Sequence, residues 1–543
     1  MKLRILAITA GLLAATAAVR ADDLLPAEKP IEQAIDHYID ASLKNAGIKP
    51  ASQADDAAIL RRLTLDLNGR VPTAAEMRAF LADTAPDKRI NLVDRLLSSP
   101  AFARHLGVEF ETLLMAGAGG ESKKGRSGTG VMREYLQTAF AENRSWDKVF
   151  RDVMLPDDSD PKKKGAGEFL RTRVKDLDRL TADVSSVFFG VNISCAKCHD
   201  HPKVDDWKQD HFYGMKSFFS RSFEAGNFVG ERETGLVKFT PNKGTEKQAR
   251  VMFLTGKALD NVPGWGEQST KEQQQKDRER MEAGKKGTLP APPTFSLRAK
   301  LVDISLEPGQ RDFFARAVVN RIWHQLTGYG FVMPLDQMHS ENPPSHAELL
   351  QWLARDLVEH KYDLRRLIRG VVLSKTYGRD SRWEGDKQPG PETFALARAR
   401  LLTPTQMATA LKLATSDPEA VTAGTDFEKK LEALERSAGG LASLFSADAQ
   451  VGVGEALLFT NGDAIQRECL AEGGDRLVAR LLKVNNLEQR ADTVVRAVLS
   501  RPSLPEETKV LADYMRRRAD RPAAAVQQVV WALLTSSEFR FNH

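Results

Sequence analysis

The sequence predicts a mainly α-helical protein of two helical domains joined by a small β element and a polar linker. Three observations predict it. Apolar residues recur three and four positions apart through most of the chain, the spacing that lays a stripe along one helix face. Helix-start chemistry, a Ser, Thr or Asp just ahead of the stripe, precedes several of those runs. The β-branched and Gly-rich patterning that marks strands is confined to one stretch near the middle.

The elements follow in order. Lys2 and Arg4, an apolar run over residues 5–19 and the small residues flanking Arg20 read as a secretory signal over residues 1–21. The run falls short of the roughly 20 apolar residues a bilayer span needs, and Asp22 and Asp23 follow at once. The expectation is a protein of the periplasm or cell exterior, with no membrane span once the signal is cleaved. No cysteine follows the run, so no lipid anchor is expected there.

Residues 22–222 form the first expected domain. Helical spacing covers residues 57–67, 76–81, 90–97 and 133–140, and Thr73 with Glu76 makes a capping box. Residues 117–130, rich in Gly, Ser and Lys, read as a loop. An apolar segment over residues 181–192 runs straight into Cys195 and predicts a buried helix that delivers it. The aromatic-rich segment 210–219 follows.

Residues 223–295 are expected to hold a small β element, with strand-like pieces at 236–240 and 251–254, and then a solvated linker over 268–293 dominated by Gln, Lys, Glu, Gly and Pro. Residues 296–543 return to helix. Ser345 with Glu348 reads as a capping box, Asp363 as a cap, and Thr403-Pro404-Thr405-Gln406 as cap, first-turn proline and box in sequence. No solenoid-period repeat or heptad run is present.

Charge narrows the function classes. The chain carries 78 Lys and Arg against 73 Asp and Glu. Without Lys2, Arg4 and Arg20 the balance is 75 against 73, which argues against nucleic acid as the partner. Three cysteines in 543 residues do not make a disulfide scaffold.

Two of those cysteines carry the chemistry. Cys195-Ala196-Lys197-Cys198-His199 has the C-x-x-C-H spacing of c-type haem attachment, in which both thiols bond the vinyl groups and the histidine takes an axial place on iron. Candidate second axial ligands are Met215, His211, His201, Met338 and His339. Three other readings use the same residues. Cys195, Cys198, His199 and His201, with Asp200, Asp205 or Asp206, could hold Zn or Fe. Cys195 and Cys198 could be a redox dithiol, or a disulfide in a non-catalytic binding scaffold. No G-x-S-x-G, H-E-x-x-H or phosphate-binding glycine loop names a reaction, so enzyme status stays open. Cys469 reads as a buried free thiol on a helix.

The assembled segments resemble a planctomycete cytochrome-c-like domain followed by a planctomycete-specific domain, the domain-of-unknown-function families 1549 and 1553. In the first domain the similar segments are Leu60-Arg61-Arg62-Leu63-Thr64-Leu65-Asp66-Leu67-Asn68-Gly69, Val93-Asp94-Arg95-Leu96-Leu97 with Ser99-Pro100, and Cys195-Ala196-Lys197-Cys198-His199-Asp200-His201-Pro202 with Trp207 and Phe212-Tyr213. In the second they are Phe314-Ala315-Arg316-Ala317-Val318-Val319-Asn320-Arg321-Ile322-Trp323, Asn342-Pro343-Pro344-Ser345-His346 with Glu348-Leu349-Leu350, Ser374-Lys375-Thr376-Tyr377, and Trp531-Ala532-Leu533-Leu534 with Ser537-Glu538-Phe539. The resemblance implies an exported protein with a cytochrome-like motif, acting in electron transfer with a redox partner protein or in polysaccharide metabolism with a carbohydrate partner. Many relatives carry a further small cytochrome c domain ahead of the first; here the signal leads directly into the helical domain.

Overall fold

Helix accounts for 55% of the described residues and strand for 5%, so the protein is mainly α-helical as the spacing predicts. The computed structural model describes residues 24–116, 130–202, 204–242, 244–418, 426–445, 457–460 and 462–543. The segment expected to be a secretory signal, and all of the expected 117–130 loop but Gly130, lie outside the described residues.

The first helices are α1 (Ile31–Asn45), α2 (Asp56–Asn68), α3 (Ala74–Ala82), α4 (Lys88–Ser98), α5 (Pro100–Met115) and α6 (Val131–Ala141). Asp55 starts α2 by accepting from Ala58 N at 2.8 Å, and Gly69, at φ 68°, ends it in the left-handed region that favours glycine. Its burial is almost complete. Leu60, Leu63 and Leu67 enter one apolar core while Leu65, on another face, enters a second. A helix apolar around its circumference has to be enclosed, and the polar residues between these leucines all find partners. Arg61 donates to Phe539 O at 2.8 Å, and Arg62 to Arg379 O at 3.0 Å and His543 O at 3.2 Å. Asp66 accepts from Tyr377 Oη at 2.8 Å, and from Arg400 and Asn542 Nδ2 at 2.7 Å each.

The predicted capping box at α3 forms, and its Glu76 does double duty. The carboxylate takes a bidentate pair from buried Arg70 at 2.7 and 2.8 Å as well as the Thr73 amide at 2.8 Å. Burial alone would raise the Glu76 carboxyl, but the Arg70 charge and the Thr73 bonds hold it below the usual carboxylate value. A depressed folded-state pKa gives stability that is present above the unfolded value and lost as pH falls through the folded one. Glu76→Gln is therefore expected to cost roughly 1.5–3 kcal/mol at neutral pH and to flatten the loss of stability below about pH 4.5, as read from urea unfolding across pH 3 to 7. An unchanged acid limb would assign that loss to other carboxylates.

Then come α7 (Trp146–Met154), α8 (Glu168–Arg171), α9 (Leu177–Phe189) and α10 (Gln209–Ser217), and a hairpin of β1 (Ser222–Ala225) and β2 (Phe228–Glu231), in which Ser222 pairs with Glu231. The expected strand at 236–240 is the two-residue β3 (Lys238–Phe239), paired with β4 (Lys247–Gln248). The piece expected at 251–254 forms only an isolated bridge, Met252 to Ala258. The linker expectation for 268–293 is corrected: it contains α11 (Lys271–Lys285), capped by Thr270 and Gln273. Its Gln, Lys and Glu residues are good helix formers, and it docks without an apolar stripe. Gly284 lies so close to Ala225 that a Cβ would fall 2.3 Å from its carbonyl oxygen, and Arg280 pairs with Glu233 at 2.5 Å.

The helices α12 (Leu297–Leu306), α13 (Asp312–Thr327), α14 (Ala347–Glu359) and α15 (Leu364–Leu373) follow. Glu231 ties the hairpin to them, accepting from Leu297 N at 2.6 Å and Ser296 Oγ at 2.6 Å at the start of α12. α13 packs on α9, α12 on α7, and α1 on α14 and α15. One buried cluster therefore runs from Ile31 to Leu396 without a break at residue 296. A second holds buried residues from Leu402 to Phe539, with Leu65 and Val71 of the α2 region. It begins with β5 (Arg400–Leu401), paired to β6 (Phe541–Asn542), and with α16 (Pro404–Ala414), which has the predicted Thr403–Gln406 box. α14 corrects another expectation. It starts one residue late, with His346 at the cap position and no side-chain cap, so the Ser345–Glu348 box does not form.

Candidate functional site

The cysteine motif is delivered as the sequence predicts, from the end of a buried helix. Asp176 starts α9 by accepting from Asp178 N and Arg179 N at 3.1 Å. Its apolar face seats Phe188 and Phe189 among Trp146, Phe150, Phe253 and Phe314, with ring centroids 4.7–5.8 Å apart for the Phe188 pairs with Phe150 and Trp146. Gly190 ends the helix at φ 67°, and a Cβ there would lie 3.0 Å from Met338 Sδ. Both the backbone turn and the methionine need a glycine.

Ser194–Lys197 is a single 3-10 turn. Asn192 Oδ1 accepts from Ser194 N at 3.1 Å, and the fully buried Ala196 plants the turn in the core. Cys195, Cys198 and His199 are exposed, and all three cysteines of the chain are free thiols. Lys197 braces the turn from outside: its Nζ pairs with Asp178 at 2.8 Å, while its carbonyl accepts from Tyr213 Oη at 3.1 Å and Gln209 Nε2 at 3.3 Å. Asp200 Oδ1 then accepts from Gln209 N at 3.0 Å at the start of α10.

His199 Nδ1 lies 2.7 Å from Asp200 O. A carbonyl oxygen only accepts, so Nδ1 carries the proton and Nε2 is left with its lone pair outward along the ring. This is the tautomer in which a metal-ligating histidine is held by a backbone carbonyl.

Of the candidate second ligands, Met215 is fully buried in the core on α10. His211 Nδ1 accepts from Lys208 N at 3.2 Å and its ring packs edgewise on Trp207; burial lowers its pKa below the usual histidine value. His201 is half-buried, two residues from His199, and its backbone amide donates to Trp207 O at 2.8 Å. Met338 is buried against Gly190. His339 is half-buried with Nδ1 enclosed and unpartnered. Among the described residues no three His, Cys, Asp or Glu side chains come together as a set that could hold a metal ion. Asp206, named for such a set, instead accepts from Ser340 N at 2.8 Å and Ser340 Oγ at 3.0 Å.

Sequence reasoning missed that second partner. Residues 336–340 come from beyond α13, and no motif marks Asp336 or Ser340. The signal that existed was indirect. Asn320 and Asn342, both within the segments quoted above, hold this loop: Asn320 exchanges bonds of 2.9 and 3.1 Å with the Val332 backbone, and Asn342 donates to Gln337 O at 2.9 Å. Arg321 donates to Ser186 O of α9 at 2.6 Å. Elsewhere, a cleft of about 650 Å³ opens between Leu24, α1 and the Pro344–Leu349 turn, with His37, Tyr38, His346 and Glu348 in its wall; burial pushes His346 down to about 4. Cys469 lies in the second core, where burial pushes its thiol up to about 11.

Residues 34–224 match the family PSCyt2, a protein of unknown function (DUF1549), and residues 298–443 match PSD1, a protein of unknown function (DUF1553). No curated protein and no solved structure matches the chain. The cysteine-histidine turn lies in the first matched segment and the loop bonded to it in the second. The chain thus carries a segment that matches PSCyt2 over residues 34–224 and, after it, one that matches PSD1 over residues 298–443.

Proposed function

We propose that this chain is an exported redox protein with one c-type haem attached through Cys195 and Cys198, with His199 as axial ligand, exchanging electrons with a partner protein. The observation that carries the reading is the turn itself: two exposed free thiols and an exposed imidazole with Nε2 uncommitted, on five consecutive residues. The donor set fits. Zinc asks its ligands to converge to about 2.0–2.3 Å from one point, and this set does not converge. Haem asks for separation instead, because the thiols meet the vinyl groups at the macrocycle's edge and the imidazole meets iron at its centre.

The chain's own contribution is to hold these groups. Ala196 fixes the turn in the core, Lys197 and Asp178 limit its sway, and the Asp200 carbonyl fixes the ring and tautomer of His199. When bound, the group supplies reversible one-electron transfer. The secretory signal read over residues 1–21 supports the assignment, since c-type attachment in bacteria takes place outside the cytoplasmic membrane. Among the described residues no helix is long and apolar enough to cross a membrane.

The test is a pyridine haemochrome spectrum with intact-mass analysis, on protein made in a host that performs periplasmic haem attachment, beside Cys195→Ala and Cys198→Ala. Wild type is expected to show a c-type band and a haem mass that survives denaturation, and the double variant to lose both. An apoprotein from a competent host overturns the reading.

A further inference from the structure

The turn is gripped from the PSD1 segment at both its flanks. On the side leading in, Asp336 O accepts from Asn192 N at 2.7 Å, its Oδ2 from Asn192 Nδ2 at 3.2 Å, and Gln337 bridges Val191. On the side leading out, Ser340 gives both its amide and its hydroxyl to Asp206. Between these anchors Met338 N donates to Gly190 O at 3.0 Å. That leaves His339 as the one residue of the stretch 336–340 whose side chain and amide are given no role by these bonds.

The backbone that carries the ring is held by these neighbouring bonds. Fixed on either side, and with the loop's shape set by Asn320 and Asn342, it is preorganised beside the turn, which is what a positioned ligand requires. The ring Nδ1 is buried with no hydrogen-bond partner. Buried polar atoms are nearly always paired, so this orphan calls for an explanation, and a group seated beside the ring supplies one. Of the rival candidates, Met215 lies in the core, His211 is with the Lys208 amide and Met338 is over Gly190, while His201, only two residues from His199, is too near along the chain to reach the opposite side of a group that His199 holds.

Resting on the haem reading above, we infer that His339 is the second axial ligand, supplied by the PSD1 domain to a group attached in the PSCyt2 domain. The site is then composite, and neither matched segment holds it alone. The role of the second domain becomes concrete: it carries the loop that presents this imidazole.

The experiment compares haem-loaded wild type with His339→Ala and His339→Met by optical and electron paramagnetic resonance spectroscopy, with Cys469 alkylation as a control for unfolding. Wild type is expected to be low-spin. His339→Ala is expected to turn high-spin and to return to low-spin on addition of imidazole, and His339→Met to be low-spin with a shifted spectrum. Cys469 stays unreactive in every folded variant. A high-spin wild type, or a His339→Ala spectrum identical to wild type, overturns the inference while leaving the haem reading intact. Wild type without haem overturns both.

Discussion

Asp66→Ala is expected to lower the unfolding free energy by about 3–5 kcal/mol, the cost of stripping one partner from a buried charge network. Asp66 sits where the two cores meet, accepting from Tyr377, Arg400 and Asn542. Burial alone would depress the Arg400 guanidinium, and Asp66 is what keeps it firmly charged; burial and the same carboxylate hold the Tyr377 phenol well above its usual value, so it keeps its proton and donates. Without Asp66 the Arg400 guanidinium keeps the Gln325 carbonyl but loses its counter-charge, and a phenol and an amide lose their acceptor at once. Denaturant unfolding followed by circular dichroism measures the effect. A loss under about 1 kcal/mol, the range of an exposed pair, would mean that water reaches the network.

Trp146→Ala is expected to cost a similar amount, about 3–5 kcal/mol, as removal of a large core aromatic does. Its ring is 4.9 Å from Phe110 of α5, 5.8 Å from Phe188 of α9 and 6.2 Å from Phe314 of α13, and its amide donates to Tyr362 O at 3.1 Å. One side chain thus joins helices of both matched segments directly behind the helix that carries the cysteines. The same unfolding measurement applies. Trp146→Phe, which keeps most of the ring, is expected to recover a large part of the loss, and a variant as stable as wild type would show that the cluster repacks.

Much of this was legible in the residues. The spacing of Leu60, Leu63 and Leu67 gives α2 to within a residue at each end, and Thr73 with Glu76 gives its neighbour's start, because caps and stripes are local chemistry. The turn at Cys195 was legible because its spacing is covalent chemistry. What stayed hidden was long-range. Asp206 and Ser340 are 134 positions apart, and an Asp or Ser in a loop carries no mark of its partner. Periodicity places Met215 on a buried face without telling a ligand from a core residue. The late start of α14 follows from tertiary contact too: Ser345 N is drawn to Phe331 O at 2.8 Å, which takes the residue out of the cap position. In α11 composition misled, since its docking rests on Gly284 and Arg280 rather than on apolar residues.

The bond between Asp66 and Asn542 spans 476 positions, and it sets an order of events during synthesis. At about 5–20 residues per second, α2 emerges on the order of tens of seconds before the strand that completes its surroundings. Through that interval Arg62 and Asp66 can find Arg379, Tyr377 and Arg400, but Arg61 still lacks the Phe539 carbonyl and Asp66 the Asn542 amide, and the leucines between them have only part of their enclosure. Closure of β6 onto β5 therefore waits for residues 541 and 542, and a nascent chain halted short of them would present α2 with part of its polar surface unmatched to whatever attends its folding.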